Sequence, residues 1–568
     1  MITKIKNILA NYKYLLKAKF YLSKFDVFLL SSVSLLSLLL SFLVIYFSIP
    51  FLDVFLEKEI SQQQKFTLFL SDVLMRFNLE LSFKIVSFFF ILSIILKSLT
   101  EILYQYITVK FQFIYMERAG LNLNKIVYNM SQFFFVKNSG SKILNLYTKE
   151  LERSSEVITS LLMSFNAIFQ LIIFLSIPIY LNTKFTILFL SLLLLFLIPL
   201  LLVNFFSVKY GLISTKVGAE LYRALNNNFL YSKFAIIHGI IKKIDSLFLK
   251  SFREYAKNKI QLTVLSAISG NYIQPIGILA LIIPIYLFSD DLKSLSLLGG
   301  ILWSLTRTLT PLNLIIQSIN VCNSQIGAFK SLYFARNNFD DYKIIEGEME
   351  INNFENLSLS NVNFKYDEKN ILDNINLNII AGQKIAICGD IGSGKSTLLD
   401  VLTNVTAINS GERKINGFNY DKVNFQKFRK KISYVPQTLS ILDANIKEYF
   451  QFYNDQVNED DINYYLDLLD CGSFLPEASS RIQMYLGDKG MKLSGGQKQK
   501  IILAAALSRK PKILIIDEAT SALDLNEEKR VLNLLTNMDI TLIMVAHKFN
   551  YEKLFNQVYT INKGKIIK

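Results

Sequence analysis

Gly389-Asp390-Ile391-Gly392-Ser393-Gly394-Lys395-Ser396-Thr397 is a complete GxxxxGK[ST] pattern. Lys384-Ile385-Ala386-Ile387-Cys388 precedes it and a largely apolar stretch reaching residue 404 follows, so the segment predicts a strand, a glycine-rich loop and a helix. Glycines in such a loop let backbone N–H groups turn inward around phosphate oxygens, and the helix N-terminus adds the positive end of its dipole. Lys395 would reach the β- and γ-phosphates of a nucleoside triphosphate, and the Ser396 hydroxyl would ligate Mg²⁺. A second element, Ile513-Leu514-Ile515-Ile516-Asp517-Glu518, predicts a buried parallel strand that delivers two acids to the phosphate crevice. Alternation along a strand points the acids apart, Asp517 toward Mg²⁺ and Glu518 toward an attacking water as general base.

A third element, Leu493-Ser494-Gly495-Gly496-Gln497, resembles the signature of the ATP-binding-cassette (ABC) family, and the resemblance covers essentially all of 350–568. In that family the signature of one cassette closes over ATP held by the opposite cassette. The resemblance implies that Tyr366 stacks on adenine and that Gln437 senses Mg²⁺ and couples to the membrane domain. It matches Ser521-Ala522-Leu523-Asp524 to the D-loop and His547 to the switch histidine that contacts the γ-phosphate. Gly487-Asp488-Lys489-Gly490 resembles the loop before the signature in exporters. The implied catalytic set is Glu518, His547, Lys395 and Gln437. ATP would be bound by Tyr366, Gly389 through Thr397, Ser494, Gly495, Gly496, Gln497 and Asp524. Ser396, Gln437 and Asp517 would hold Mg²⁺. The chain departs from the family pattern at Lys498, Lys500 and Ala505, where arginines are common, and at Lys548-Phe549.

The remainder of the chain must position and use this cassette. Its 568 residues are 51% hydrophobic and 19% charged, with mean hydropathy +0.33, too apolar for a soluble protein of this length. Stretches longer than the ~20 residues that cross ~30 Å of hydrocarbon predict six membrane helices, near 27–49, 85–107, 158–181, 185–206, 264–288 and 294–317. The transmembrane domain so defined is 27–330, followed by a linker at 331–349 and the cassette at 350–568. Residues 1–26 read as a basic amphipathic segment on the inner leaflet. Lysines and arginines crowd the N-terminus and the two long loops after the second and fourth spans, while the 53–80 loop is acid-rich. The basic side faces the cytoplasm, which places the N-terminus and the ATPase domain there, in a bacterial cytoplasmic membrane. The expected fold class is therefore an α-helical membrane domain followed by an α/β phosphate-loop ABC ATPase domain.

The net charge of +15 suits anionic lipid or nucleic acid, and six spans exclude a soluble nucleic-acid-acting ATPase. Three scattered cysteines and two histidines exclude a disulfide framework and a histidine-cluster metalloenzyme; His238 reads as a helix-face histidine. Six spans, long cytoplasmic helices and one cassette resemble the exporter-type ABC half-transporter. One phosphate loop and one signature per chain imply a dimer, simplest as a homodimer, with a heterodimer holding a non-hydrolysing subunit as the alternative. Lys97 and Glu101 are spaced to pair on one helix face. Arg307, ahead of Pro311 in the sixth span, is the candidate for gripping an anionic substrate. Together with the sizeable outer loop it gives a diffuse resemblance to lipid-linked oligosaccharide flippases. The expected substrate is amphipathic, a lipid-linked saccharide or other lipid. Peptide or drug export is the alternative, with leader-cleaving peptide export disfavoured because no cysteine-protease-like domain precedes the first span.

Overall fold

The computed structural model describes residues 23–55, 65–76, 78, 80–131, 140–288, 295–338, 344–366, 368–437, 441–487, 490, 492–518, 522–546 and 551–567. The amphipathic reading of the extreme N-terminus therefore lies almost wholly outside the described residues. The chain divides into two compact units, Met1–Tyr128 with Asn138–Asp341, and Asn129–Lys137 with Tyr342–Lys568.

The first unit is helical. Six long passes run through Lys24–Phe55, Phe83–Tyr128, Leu151–Leu181, Thr183–Leu230, Ile241–Phe288 and Leu295–Asn338 among the described residues. Five of these helices are long and apolar enough to cross a membrane; Leu295–Asn338 is not among them. The fourth pass, read from sequence as one span, is interrupted at Ile198-Pro199, because proline has no N–H to continue the ladder. The sixth continues to Asn338, so the first part of the stretch expected as linker is helical. A short helix, Lys65–Arg76, occupies the acid-rich loop. It buries Thr67, Leu70, Ser71 and Leu74 at helical spacing, with Leu70 and Leu74 against Val86 and Tyr46.

With lipid on the outside, helices in such a bundle gain little by hiding apolar surface from one another, and small or polar residues hold the seams. Ser34 Oγ donates to Asn166 Oδ1 at 2.9 Å, and Ser207 Oγ to Asn320 Oδ1 at 2.5 Å. Gly211 allows the fourth and sixth passes to touch backbone to backbone: a Cβ there would lie 2.4 Å from the Ser324 carbonyl oxygen. One turn away, Arg153 Nε donates to Gln325 Oε1 at 2.5 Å, and its Nη2 reaches the Ser324 carbonyl at 3.0 Å. Its Nη1 lies 3.4 Å from the buried Glu150 carboxylate.

Among the described residues the second unit contains two sheets. An antiparallel sheet has the order β2-β1-β4-β5, with β1 Asn356–Tyr366, β2 Lys369–Ile380, β4 Ser410–Ile415 and β5 Phe418–Asn419. A six-stranded sheet has the order β10-β9-β3-β8-β7-β6, from β3 Lys384–Cys388, β6 Ile432–Val435, β7 Ile513–Asp517, β8 Thr541–Ala546, β9 Gln557–Asn562 and β10 Lys565–Ile566. Within it β9, β3, β8, β7 and β6 pair in parallel. The period-two geometry of a strand explains why the inner strands are aliphatic throughout. Ile385, Ile387, Ile513, Ile515, Ile543 and Val545 enter a core shared with the antiparallel sheet and helix Lys395–Leu402. Their alternates Ala386, Leu514, Ile516, Leu542 and Met544 enter a second core with helices Ile446–Tyr453, Glu459–Leu468, Gly495–Ser508 and Leu525–Asn537. Each of the larger aliphatic side chains among these contributes about 1.5–3 kcal/mol by leaving water, and both faces of the sheet are closed.

Candidate functional site

The glycine loop joins β3 to helix Lys395–Leu402 at the carboxyl end of the parallel sheet. Gly389 needs its missing Cβ, which would lie 2.2 Å from the Ile561 carbonyl oxygen on β9. Gly394, at φ 105°, is the N-cap of the helix. Between them Asp390 accepts from the Ser393 N–H at 3.2 Å, Ile391 is exposed and Ser393 is buried. Lys395 is buried at 5% exposure. Its Nζ donates to the Gly389 and Asp390 carbonyls at 2.8 and 3.1 Å and lies 3.5 Å from Glu518 Oε1. The ammonium thus turns into the concavity of its own loop, where phosphate oxygens would replace the carbonyls.

Glu518 follows β7 directly. Its N–H still donates to the Val545 carbonyl at 3.0 Å, but its φ is 51°. A left-handed conformation costs a residue with a Cβ about 1–2 kcal/mol. That twist adds to strand alternation in separating the two acids. Gln437 Nε2 donates to Glu518 Oε2 at 2.5 Å, so both carboxylate oxygens are engaged.

Asp517, 4% exposed, faces the other way. Its Oδ2 accepts from the Tyr434 hydroxyl at 3.0 Å, and the Ser396 side chain also bonds the carboxyl. Burial pushes its proton affinity up, and the Tyr434 and Ser396 hydrogen bonds oppose that rise. Asp517 Oδ1 is buried without a hydrogen-bond partner. A bare carboxylate oxygen beside a serine hydroxyl is a hard-oxygen setting that fits Mg²⁺. Among the described residues no group of three or more His, Cys, Asp or Glu side chains converges, so phosphate and water would supply the other ligands. One helical turn after Ser396, burial beside Asp517 pushes the Asp400 carboxyl up to about 6.

The remaining candidates sit as follows. Tyr366 ends β1, edge-on to Phe364 at 4.8 Å, and its hydroxyl is hydrogen-bonded to the Thr397 side chain. Ser494 caps helix Gly495–Ser508 in a reciprocal box: its N–H donates to Gln497 Oε1 at 2.9 Å, and its Oγ accepts from the Gln497 N–H at 3.3 Å. A Cβ on Gly495 or Gly496 would stand 3.3 or 3.1 Å from Ala522, so this turn abuts the segment leading to Asp524. Asp524 caps helix Leu525–Asn537, accepting from the Glu527 N–H at 2.8 Å. Two of the departures from the family pattern, Lys500 and Ala505, are accommodated internally, and Lys548-Phe549 lie outside the described residues. Lys500, buried, pairs with Glu527, and Ala505 is fully buried in the core. His547 lies outside the described residues, as do Ser521, Asp488 and Lys489.

Site residues thus converge in two groups, Lys395, Gln437 and Glu518 around one acid, Ser396, Tyr434 and Asp517 around the other. Arg307 belongs to the first unit. It is exposed, with its guanidinium 4.4 Å from the Trp303 ring centre. Lys97 and Glu101 form the expected pair at 3.2 Å, and Lys97 also lies over Phe174 at 5.3 Å. Sequence reasoning missed Tyr434 and Asp400. The signal for Tyr434 was its place three residues before Gln437, on a strand whose other members are apolar or small.

Residues 372–521 match the family model described as ABC transporter. An export ATP-binding/permease protein of Rickettsia typhi is 32% identical over 274 residues, covering 47% of this chain and 45% of the relative. The lactococcin-A transport/processing ATP-binding protein of Lactococcus lactis is 31% identical over 254 residues, covering 44% and 34%. The matched region therefore spans less than half the length of these curated relatives. Among solved structures, a bacterial Atm1-family ABC exporter with ATP bound matches 96% of this chain and 94% of its own, with TM-score 0.75 and 17% identity. That likeness is one of fold. The chain therefore has an ABC ATPase domain preceded by a helical domain with several apolar helices, and it shares the fold of an exporter-type ABC half-transporter.

Proposed function

We propose that the chain hydrolyses ATP to move an amphipathic substrate outward across, or between the leaflets of, a bacterial cytoplasmic membrane. The observation that carries this reading is the buried Lys395 facing Glu518, itself held by Gln437. Such a group can bind a γ-phosphate and orient the water that attacks it. Mg²⁺ would be held by Ser396 and Asp517, joined by Gln437 if its amide leaves Glu518, and would neutralise charge developing on the phosphates. His547 would contact the γ-phosphate and Tyr366 the adenine. Because one chain carries one phosphate loop and one signature, two copies would complete two sites, each using Ser494–Gln497 and Asp524 of the opposite copy. The ATPase domain and N-terminus would lie in the cytoplasm.

A lipid-linked saccharide or other lipid is the substrate class we favour. Arg307 supports it, being an exposed cation on helix Leu295–Asn338, stacked on Trp303. Its planar fork suits a phosphate group. Peptide export is the second reading, favoured by the name of the Lactococcus relative. The deciding experiment reconstitutes the chain in liposomes and measures ATP hydrolysis against lipid-linked saccharides, phospholipids and peptides. Stimulation and transport of the first class, absent from Glu518→Gln protein, are expected. Stimulation by peptides alone would transfer the assignment to the second reading, and absence of any ATPase activity would overturn both.

A further inference from the structure

Strand β6 ends in Tyr434-Val435-Pro436-Gln437, and this short segment contacts both acids of β7: the Tyr434 hydroxyl bonds Asp517 and the Gln437 amide bonds Glu518. Ile432, Ser433 and Val435 are buried, whereas Tyr434 is 39% exposed. The ring is thus not a core filler, and a phenylalanine would pack there equally well. What tyrosine adds is one hydroxyl, and that hydroxyl is spent on Asp517. In the parallel register Tyr434 stands opposite Ile515, two residues short of Asp517, so the side chain leans along the strand to reach the carboxylate.

We infer that Tyr434 is a positioning residue for the metal-side acid, fixing one oxygen of Asp517 so that the other is presented to Mg²⁺. This rests on the reading of Asp517 as the metal-side acid. A carboxylate on a strand end can rotate about its terminal bond and offer either oxygen, or both, to a cation. The Tyr434 hydrogen bond, beside that of the Ser396 side chain, restricts that freedom. Oδ2 is engaged at 3.0 Å, and Oδ1 is left buried without a partner, an arrangement whose cost a divalent cation would relieve. Groups that orient a metal ligand act on metal affinity without touching the metal, and their loss commonly weakens it about 10–100-fold. Tyr434 and Gln437 being three residues apart, the segment sets metal side and water side together.

The test uses full-length protein in lipid nanodiscs carrying Glu518→Gln, so that binding is read without turnover. A fluorescent ATP analogue is titrated in EDTA and then, at fixed nucleotide, with Mg²⁺. Tyr434→Phe is expected to leave binding in EDTA unchanged and to raise the Mg²⁺ concentration for half-maximal retention about tenfold. An Mn²⁺ spin-resonance titration should show the same displacement. An unchanged Mg²⁺ requirement overturns the inference, as does equal weakening with and without the metal, which would make the hydroxyl merely structural. Asp517→Asn separates the two levels. If it too leaves the Mg²⁺ requirement unchanged, the assignment of Asp517 itself is wrong; if it raises the requirement and Tyr434→Phe does not, only the role of Tyr434 falls.

Discussion

Lys395 Nζ lies 3.5 Å from Glu518 Oε1, so the cation of the phosphate loop and the water-side acid are each other's counter-ions. A γ-phosphate drawn to Lys395 would compete with Glu518 for the same ammonium and free the acid to orient an attacking water. Glu518→Gln should therefore keep or strengthen nucleotide binding while slowing phosphate release about 10²–10⁴-fold. Filter binding and phosphate-release assays on the same preparation check both halves. Hydrolysis at the unmodified rate would remove Glu518 from the catalytic role.

Lys395→Ala and Ser494→Arg lesions should complement in mixed dimers. Each pure mutant carries two damaged sites, whereas a mixed dimer retains one intact loop facing one intact signature. Co-expression with two affinity tags, tandem purification and an ATPase assay provide the measurement. No recovered turnover would mean that both sites must fire together or that the head-to-tail pairing is wrong.

Gly389→Ala should cripple the cassette. The added methyl would meet the Ile561 carbonyl oxygen at 2.2 Å and Ser393 Oγ at 2.9 Å, so β9 or the loop must shift at a cost of about 1–3 kcal/mol or more. Nucleotide binding is expected to fall at least about tenfold, since 1.4 kcal/mol is a factor of ten. Wild-type affinity in the variant would show that the loop has slack the structure does not suggest.

Arg307→Ala should lower substrate-stimulated ATPase and transport while sparing basal ATPase, since Arg307 belongs to the helical unit and the hydrolytic residues to the other. Arg307→Lys distinguishes a point charge from bidentate phosphate contact: retained transport means charge suffices, loss means the fork is needed. A folded Arg307→Ala protein with unchanged transport would exclude the residue from the substrate path.

The buried Arg481 gives a pH signature. Its Nη1 and Nη2 donate to Asp467 at 2.7 and 2.9 Å, holding that carboxyl below its ordinary value of 3.8. A depressed folded-state value means that folding favours the ionised form. The stabilisation is then complete above pH 3.8 and disappears as pH falls through the lower folded-state value. Since the Asp467 side chain is 61% exposed, solvent screening limits the effect to about 1 kcal/mol. Asp467→Asn should lower amide-exchange protection of helix Glu459–Leu468 at pH 7, and the gap to the unmodified protein should narrow as the pH is taken progressively below 3.8. A gap that persists undiminished in acid would show that the ion pair is not its source.

Legibility followed the strength of the local constraint. The phosphate loop was readable because glycines at fixed offsets, between a strand and a helix, admit few other conformations. Strands β7 and β8 were readable because burial on both faces demands unbroken aliphatic runs such as Ile513–Ile516 and Leu542–Val545. The Lys97–Glu101 pair was readable because helical spacing alone brings it together. The helix Lys65–Arg76 was not, since its short apolar face gains its stability from neighbours distant in sequence, Tyr46 and Val86. The break at Ile198-Pro199 was hidden inside a uniformly apolar stretch. Tyr434 was hidden because its contact crosses between strands 83 residues apart, and the left-handed Glu518 because nothing in a glutamate announces a positive φ.

The sixth pass carries a consequence for how the protein is made. An arginine at the centre of a membrane helix costs about 2.5–3.5 kcal/mol on insertion scales; helix Leu295–Asn338 carries Arg307 in its first third, with Asn313, Gln317, Asn320 and Asn323 beyond it. Left to its own hydropathy, it is a poor client for a machine that releases nascent helices sideways into lipid. Ser304 Oγ donates to the Phe174 carbonyl at 2.6 Å, and Ser318 Oγ to the Ser160 carbonyl at 2.8 Å, both on the third pass. That helix leaves the ribosome earlier and can wait as a template. Lesions along this seam would then surface during biogenesis, as chains whose helix Leu295–Asn338 never docks on the third pass, rather than as finished proteins that turn over slowly.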